Sequence, residues 1–152
     1  MKIRGTGLAG LLAACVVLSA NGVARAEEVQ CEVLSIRAST DGTAISQSLE
    51  PYRPQLMRPP LNAFTSFTLI ETRQLRLSAG ASQPLTLGND IGGELRLVSS
   101  RPERERLRLR LTLRRGEQTL VNSQVALTRS HPFFVAGPII PGGTLVVGIV
   151  CR

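Results

Sequence analysis

The residues of this chain best placed to do chemistry are arginines that recur at every second position. They are Arg104, Arg106, Arg108 and Arg110, followed by Arg114 and Arg115 at the end of the same segment. On one face of a β-strand, successive side chains lie about 6.5–7 Å apart, which is close to the spacing of phosphates in a polymer. Because a guanidinium binds phosphate and carboxylate oxygens bidentately, a row of this kind could bind lipopolysaccharide phosphates, an acidic polysaccharide or nucleic acid.

A solvated outer face is the second interpretation of these arginines, and the sequence alone favours it. Glu103, Glu105 and Glu117 lie close by in sequence, and Glu94 is expected on the neighbouring strand. Cross-strand pairing of these carboxylates with the arginines would neutralise much of the positive field. Charged outward faces also prevent sheets from aggregating edge to edge.

The aromatic content argues against nucleic acid as the anionic partner. The chain contains one Tyr, four Phe and no Trp. Proteins that bind single strands stack the bases on aromatic side chains, so a platform of that kind is hardly possible here. The sequence also contains none of the common DNA- or RNA-binding motifs. We therefore expect no nucleic-acid partner.

The single histidine, His131, is the strongest candidate for a catalytic group. It could act as a general base with Ser130 or Asp90. The chain has no G-x-S-x-G motif, however, and His131 precedes Pro132 in a segment that is typical of a loop. The carboxylates are scattered and match neither a glycosidase pair nor a Ca²⁺ loop. We expect no enzyme, cofactor or metal site, and a hydrolase is kept only as a remote alternative.

The phenylalanines supply most of the aromatic material for a core or a partner contact. Phe67 and one of Phe133 and Phe134 are expected in the core. The other member of that pair lies beside Pro132 and is expected to be exposed. An exposed aromatic ring of this kind can anchor a protein partner.

Short strands must position all of these residues, because apolar and polar residues alternate with period two along most of the chain. In the strongest alternation, four leucines occupy the positions between the arginines and lie on the other face of the same strand: Leu107, Leu109, Leu111 and Leu113. Similar patterns occur near residues 29–37, 67–71, 74–78, 85–87, 94–98 and 119–127. Residues 144–151 are instead a nearly all-apolar run, which suggests a strand buried on both faces. About eight short strands with turns near every tenth residue predict an all-β antiparallel sandwich or barrel.

The segment at residues 45–58 is the one region where helical turns are expected. Ile45, Leu49, Tyr52 and Leu56 have roughly helical spacing. Four prolines between residues 51 and 60 forbid one continuous helix, so the pattern predicts one or two short turns, with Pro54 at a first helical position. The segment is expected either to cap the β core or to dock on another surface.

Residues 1–26 have the pattern of a cleaved secretion signal. Lys2 and Arg4 precede an uncharged apolar stretch, and Ala24 and Ala26 occupy the positions that a signal peptidase reads. Cleavage would leave residues 27–152 as a single β domain. The full chain carries a net charge of +7, and after cleavage 15 arginines would face 11 acidic residues. The mature charge is then only about +4, and Arg alone carries the positive part.

Cys15 allows a second interpretation of the N-terminal segment, in which the segment is a lipoprotein signal. The residues Leu12, Ala13, Ala14 and Cys15 resemble the lipobox of bacterial lipoproteins, in which the Cys carries lipid. The apolar residues that follow Cys15 depart from that pattern. We therefore keep lipidation as the minority alternative to a periplasmic, outer-envelope or extracellular protein released by signal cleavage.

Cys31 and Cys151 lie close to the two ends of the expected mature domain. An even number of cysteines in an exported chain favours a disulfide, since the compartment is oxidising. Such a bond requires Cα atoms within about 7 Å, so it predicts that the first and last strands are neighbours. Free buried thiols, or a bond to a partner, are the alternatives.

Residues 27–152 resemble a loose group of small exported bacterial β-rich proteins. The resembling segments are 61–67 (LNAFTSF), 85–89 (LTLGN), 137–138 (GP) and 142–145 (GGTL). These motifs have low specificity and look structural, and no activity is known for the group. The resemblance therefore implies a fold and no function.

These patterns together predict an exported, non-enzymatic β protein that acts as a binding or accessory module of the cell envelope. The expected partner is a protein at a sheet edge or, as the alternative, an anionic envelope polymer on the arginine-lined strand. No membrane-spanning segment is expected after signal cleavage.

Overall fold

The computed structural model describes Gly22 and residues 27–152. The expected signal segment at residues 1–26, including Cys15, lies outside the described residues except for Gly22. None of the helices described is long and apolar enough to cross a membrane.

The described chain forms a sandwich of two four-stranded antiparallel sheets, which confirms the predicted fold class. The first sheet has the order β2-β1-β8-β7 and the second has the order β3-β4-β5-β6. The two sheets stay separate among the described strands, so the alternative of a closed barrel is not realised. The strands are β1 (Glu28–Ser39), β2 (Ser66–Ser78), β3 (Ser82–Thr86), β4 (Ile91–Arg101), β5 (Arg106–Arg115), β6 (Gln118–Thr128), β7 (Phe133–Ile140) and β8 (Gly143–Cys151).

The main core lies between the sheets and follows from the period-two alternation of their strands. The four leucines of β5 at positions 107, 109, 111 and 113 are buried. They pack with Val33 of β1 and with Leu145, Val147 and Ile149 of β8. Because β8 lies inside the first sheet and is covered on both faces, its residues from Leu145 to Cys151 are all buried.

A helical segment covers the outer face of the first sheet and forms a second, smaller core. It consists of a 3₁₀ turn at Gln47–Tyr52, a short helix α1 at Arg53–Leu56 and a 3₁₀ turn at Leu61–Ala63. Its leucines at positions 49, 56 and 61 pack against Ile36 and Phe67 of the sheet. The expected helical turns are confirmed, and the segment is a cap on the β core rather than a free docking surface.

Two strands differ from the sequence pattern. β2 runs without interruption through residues 66–78, where the sequence shows two separate alternations. β7 forms within a segment, residues 131–143, whose Pro and Gly content is typical of a loop. Pro138 is tolerated because β7 is an edge strand and its pairing with β8 shifts between Ala136 and Ile139.

Candidate anion-binding face

β5 presents arginines to solvent because its leucines occupy the alternate, inward positions. Arg106, Arg108 and Arg110 are exposed, whereas the intervening leucines are buried. β4 and β6 flank this strand and hold it in the middle of the second sheet. The row that the sequence predicts therefore exists for these three residues. Arg104 departs from it, since β5 begins only at Arg106.

The strand register adds two arginines that sequence analysis missed. On β4, Arg96 lies opposite Arg110, and Arg101 lies opposite Arg106. Residues directly opposite each other in a sheet point to the same face, so both arginines extend the row sideways. Nothing local in the sequence marks Arg96 or Arg101, because only the pairing of β4 with β5 brings them there. We call the resulting surface the arginine face. It comprises Arg96, Arg101, Arg106, Arg108 and Arg110 of the sheet, and Arg104 of the adjoining turn, which lines a cavity with three of them.

The cross-strand ion pairs that the sequence predicts between these arginines and neighbouring glutamates are absent from the described residues. Within the described residues, the ion pairs are Glu27–Arg129, Glu28–Arg76, Glu50–Arg53 and Glu71–Arg73. None of them includes a member of the arginine face. Glu94 does lie on the neighbouring strand, as expected, but its partner across β5 is Thr112. The positive charge of this surface therefore has no internal ion-pair partner in the described structure.

One end of the arginine face is concave. A cavity of about 110 Å³ is lined by Ser99, Arg101, Arg104, Arg106, Leu107, Arg108 and Ala126. Arg104 reaches it from a 3₁₀ turn at Pro102–Arg104, and Glu105 ends that turn in a left-handed conformation with φ 53°. The main-chain N–H of Arg129 donates a hydrogen bond of 2.8 Å to the carbonyl oxygen of Glu105, which ties the turn to the end of β6. We call this concavity the arginine pocket.

A polar cluster of Glu27, Ser100 and Arg129 forms near the end of β4 and the end of β6. Arg129, whose side chain is only 20% exposed, pairs with the carboxylate of Glu27. The hydroxyl of Ser100 donates to the same carboxylate over 2.8 Å. Because Glu27 is engaged by Arg129 and Ser100, its carboxylate is directed to these partners and not to the arginine pocket.

The two cysteines lie directly opposite each other on β1 and β8. Cys31 and Cys151 form a disulfide with an S–S distance of 2.04 Å and Cα atoms 4.0 Å apart. The predicted pairing and the predicted contact between the first and last strands are therefore both present. Both residues are fully buried, and they join the strands that carry the two ends of the domain.

Phe133 and Phe134 point to opposite faces of β7. Phe133 packs against the main core, and Phe134 packs against the second core, where its ring lies 5.8 Å from that of Tyr52. Both are half-buried, so neither is the exposed ring that the sequence predicts. They do border an open cavity beside Pro59 and Pro60, and a partner contact there stays a prediction.

Two of the candidate catalytic residues, His131 and Asp90, do not come together. The ring nitrogen Nδ1 of His131 lies 3.0 Å from the main-chain carbonyl oxygen of Arg129. Asp90 precedes the start of β4, whereas His131 follows the end of β6, so the two lie at opposite ends of the second sheet. The described residues include no group of three or more His, Cys, Asp or Glu side chains that could hold a metal ion.

The comparisons with known proteins identify no family for this chain. Neither the protein-family models, nor the curated proteins, nor the solved structures gave a match to this chain.

Proposed function

We propose that this chain is an exported binding module of the bacterial cell envelope that holds an anionic polymer on the arginine face. The observation that carries the proposal is a sheet face with five arginines, extended by Arg104 on the adjoining turn, that form no ion pair within the described structure. Arg110 has one polar contact, a hydrogen bond of 3.2 Å to the amide oxygen of Gln124, which leaves its charge uncompensated.

The spacing of the arginines supports a polymer with repeating charges. Along β5 the three side chains are about 6.5–7 Å apart, and β4 runs beside them at about 4.8 Å. The face is therefore a two-dimensional array of donors, on which several anionic groups of one chain can bind together. Repeated contacts of this kind raise the overall affinity without any single strong site.

Two further features support export and binding rather than catalysis. Disulfides persist in oxidising compartments, so the Cys31–Cys151 bond is compatible with an exported protein. The polar contact of His131 is a main-chain carbonyl oxygen, and Asp90 lies at the far end of the sheet, so this pair is not placed for acid–base chemistry.

Salt-dependent retention on immobilised heparin and on lipopolysaccharide tests the proposal. We expect the variant R106S/R108S/R110S to elute at a clearly lower salt concentration than the unchanged protein, because three exposed charges are lost from one face. The matched control is R58S/R73S/R76S, which removes the same charge outside that face. The control should elute close to the unchanged protein.

Unchanged retention of R106S/R108S/R110S would contradict the proposal. Equal losses in the two triple variants would also do so, since retention would then report net charge and not the arginine face.

A further inference from the structure

The arginine pocket differs from the rest of the arginine face because its side chains come from three chain segments. Arg101 ends β4, Arg104 lies on the following turn, and Arg106 and Arg108 begin β5. Arg96 and Arg110 belong to the same face but do not line the pocket. A concave group of four arginines can surround one anion, whereas a flat row can only contact several anions in turn.

The other residues that line the pocket carry no charge. Ser99 adds a hydroxyl group and Ala126 a methyl group, and the side chain of Leu107 is buried in the main core. No carboxylate belongs to the lining.

The nearest carboxylates leave the pocket with an excess of positive charge. Glu103 and Glu105 lie on the same turn as Arg104, and neither forms an ion pair in the described part of the chain. The segment 101–108 contains four arginines and two glutamates, which is an excess of two positive charges. An anion with a single charge would leave this excess partly uncompensated, whereas a dianion would balance it.

The size and donor chemistry of the pocket select among anions. A volume of about 110 Å³ offers room for a compact group. A phosphate monoester carries about −1.5 to −2 charges at pH 7 and has three strong acceptor oxygens, while a carboxylate carries one charge on two oxygens. Guanidinium groups bind phosphate oxygens in pairs of parallel hydrogen bonds.

We infer that the arginine pocket is a binding site for a phosphate monoester, which is the anionic group that this protein recognises. This inference rests on the proposed anion-binding function and adds the chemical class of the recognised group. Arg101 and Arg104 line the pocket from outside β5. They are the residues that distinguish a phosphate-binding site from a surface that binds anions in general.

Calorimetric titration of the purified, disulfide-bonded protein with three monosaccharides tests the inference. The probes are glucose 6-phosphate, glucose 6-sulfate and glucuronate, which differ in the charge and geometry of the anionic group. We expect glucose 6-phosphate to bind about tenfold or more tightly than either of the other two, because it alone offers a near-dianion to four guanidinium groups.

Two double variants with the same loss of charge locate the binding. R101Q/R104Q removes two arginines from the pocket and should lower the affinity for glucose 6-phosphate by about tenfold or more. R96Q/R110Q removes two arginines from the same face outside the pocket and should change the affinity by less than about twofold. All four residues are exposed, so the fold is expected to tolerate both variants, and circular dichroism checks this.

Co-sedimentation with phosphatidylcholine vesicles distinguishes two sources of the phosphate group. Vesicles that contain phosphatidic acid present a monoester, and vesicles that contain phosphatidylglycerol present a diester. Binding to the phosphatidic acid vesicles that is lost in R101Q/R104Q supports a lipid as the source. Binding of glucose 6-phosphate without vesicle binding supports a soluble or polysaccharide source.

Equal affinities for the three monosaccharides would overturn the inference, as would equal effects of the two double variants. If heparin retention still depended on Arg106, Arg108 and Arg110, the proposed function would survive that result. If the variant R106S/R108S/R110S were retained on heparin like the unchanged protein while glucose 6-phosphate bound in the pocket, the proposed polymer binding would be wrong. The inferred phosphate-binding site would still be supported.

Discussion

Single arginines of this chain have very different surroundings although their residue type is the same. Arg129 is largely buried and pairs with Glu27, which is 102 residues away in sequence. Arg108 is exposed and lies opposite Ser99 and Ala126, neither of which carries a charge. Charge counting along the sequence treats both residues alike, so only the position in the fold shows which arginine is free to meet an external anion.

Tyr52 gives a residue-scale prediction because it is the only tyrosine of the chain. Burial against the second core raises its pKa above the ordinary value of 10.0, and the negative charge of Glu32 adds to this effect. Absorbance titration of the phenolate should therefore give a midpoint above 10 in the folded protein and about 10 in concentrated urea. Replacing Glu32 with Gln should move the folded midpoint part of the way back.

The same shift has a consequence for stability at alkaline pH. Since the folded state holds the phenol proton more tightly, its contribution to stability is complete below pH 10 and is lost as the pH rises through the folded-state pKa. A Tyr52→Phe variant should lose less of its unfolding free energy than the unchanged protein over this range. A phenolate midpoint at or below 10 in the folded protein would contradict the prediction.

At the scale of elements, the alternation of side chains predicts strands well and their pairing poorly. β5 and β8 are where the leucine alternation and the apolar run place them. The sequence does not predict β7, because Gly137 and Pro138 are typical of a loop. The strand forms because β7 lies at the edge of its sheet, where a proline is tolerated that would break a central strand. The helical cap is indicated by its leucine spacing, while the face it covers depends on the sheet beneath it.

The close approach of β4 and β5 gives an element-scale prediction at Gly93. In the sheet, a side-chain methyl group on Gly93 would overlap the main-chain carbonyl oxygen of Thr112, whereas one on Gly92 would lie 3.3 Å from the carbonyl oxygen of Leu85. A backbone carbonyl in a central ladder cannot move aside as a flexible side chain can.

We therefore expect Gly93→Ala to lower the free energy of unfolding by about 3 kcal/mol, as overpacked core substitutions do. Gly92→Ala is the matched control and should cost less than about 1 kcal/mol. Urea denaturation of both variants measures the difference. Similar stabilities of the two variants would show that the β4–β5 contact is looser than described.

At the scale of the whole molecule, the first and last strands hold the domain together. β1 pairs with β2 on one side and with β8 on the other, and the pairing continues to the end of the chain through two hydrogen bonds between Gln30 and Arg152. The disulfide closes this arrangement over a sequence separation of 120 residues. A cross-link of that span restricts almost the whole unfolded chain.

The double variant C31A/C151A tests this role. In the chain-entropy model, a loop of about 100 residues contributes about 4–5 kcal/mol, so we expect a loss of about 4 kcal/mol in the unfolding free energy. The protein reduced in urea should show the same loss, which serves as the control. An unchanged urea midpoint in both would mean that the bond does not constrain the unfolded state.

The sequence alone determines several properties of this protein: the all-β class, the inward and outward faces of β5 and the helical turns near residues 45–58. It also favours the pairing of Cys31 with Cys151. These depend on local periodicity, or on a choice among very few cysteines. Only the tertiary structure decides which charges are neighbours. It adds Arg96 and Arg101 to the arginine face, forms none of the expected Arg–Glu ion pairs there within the described residues, and half-buries both Phe133 and Phe134. The physical reason is that register and packing join residues far apart in the chain, and local periodicity carries no record of those contacts.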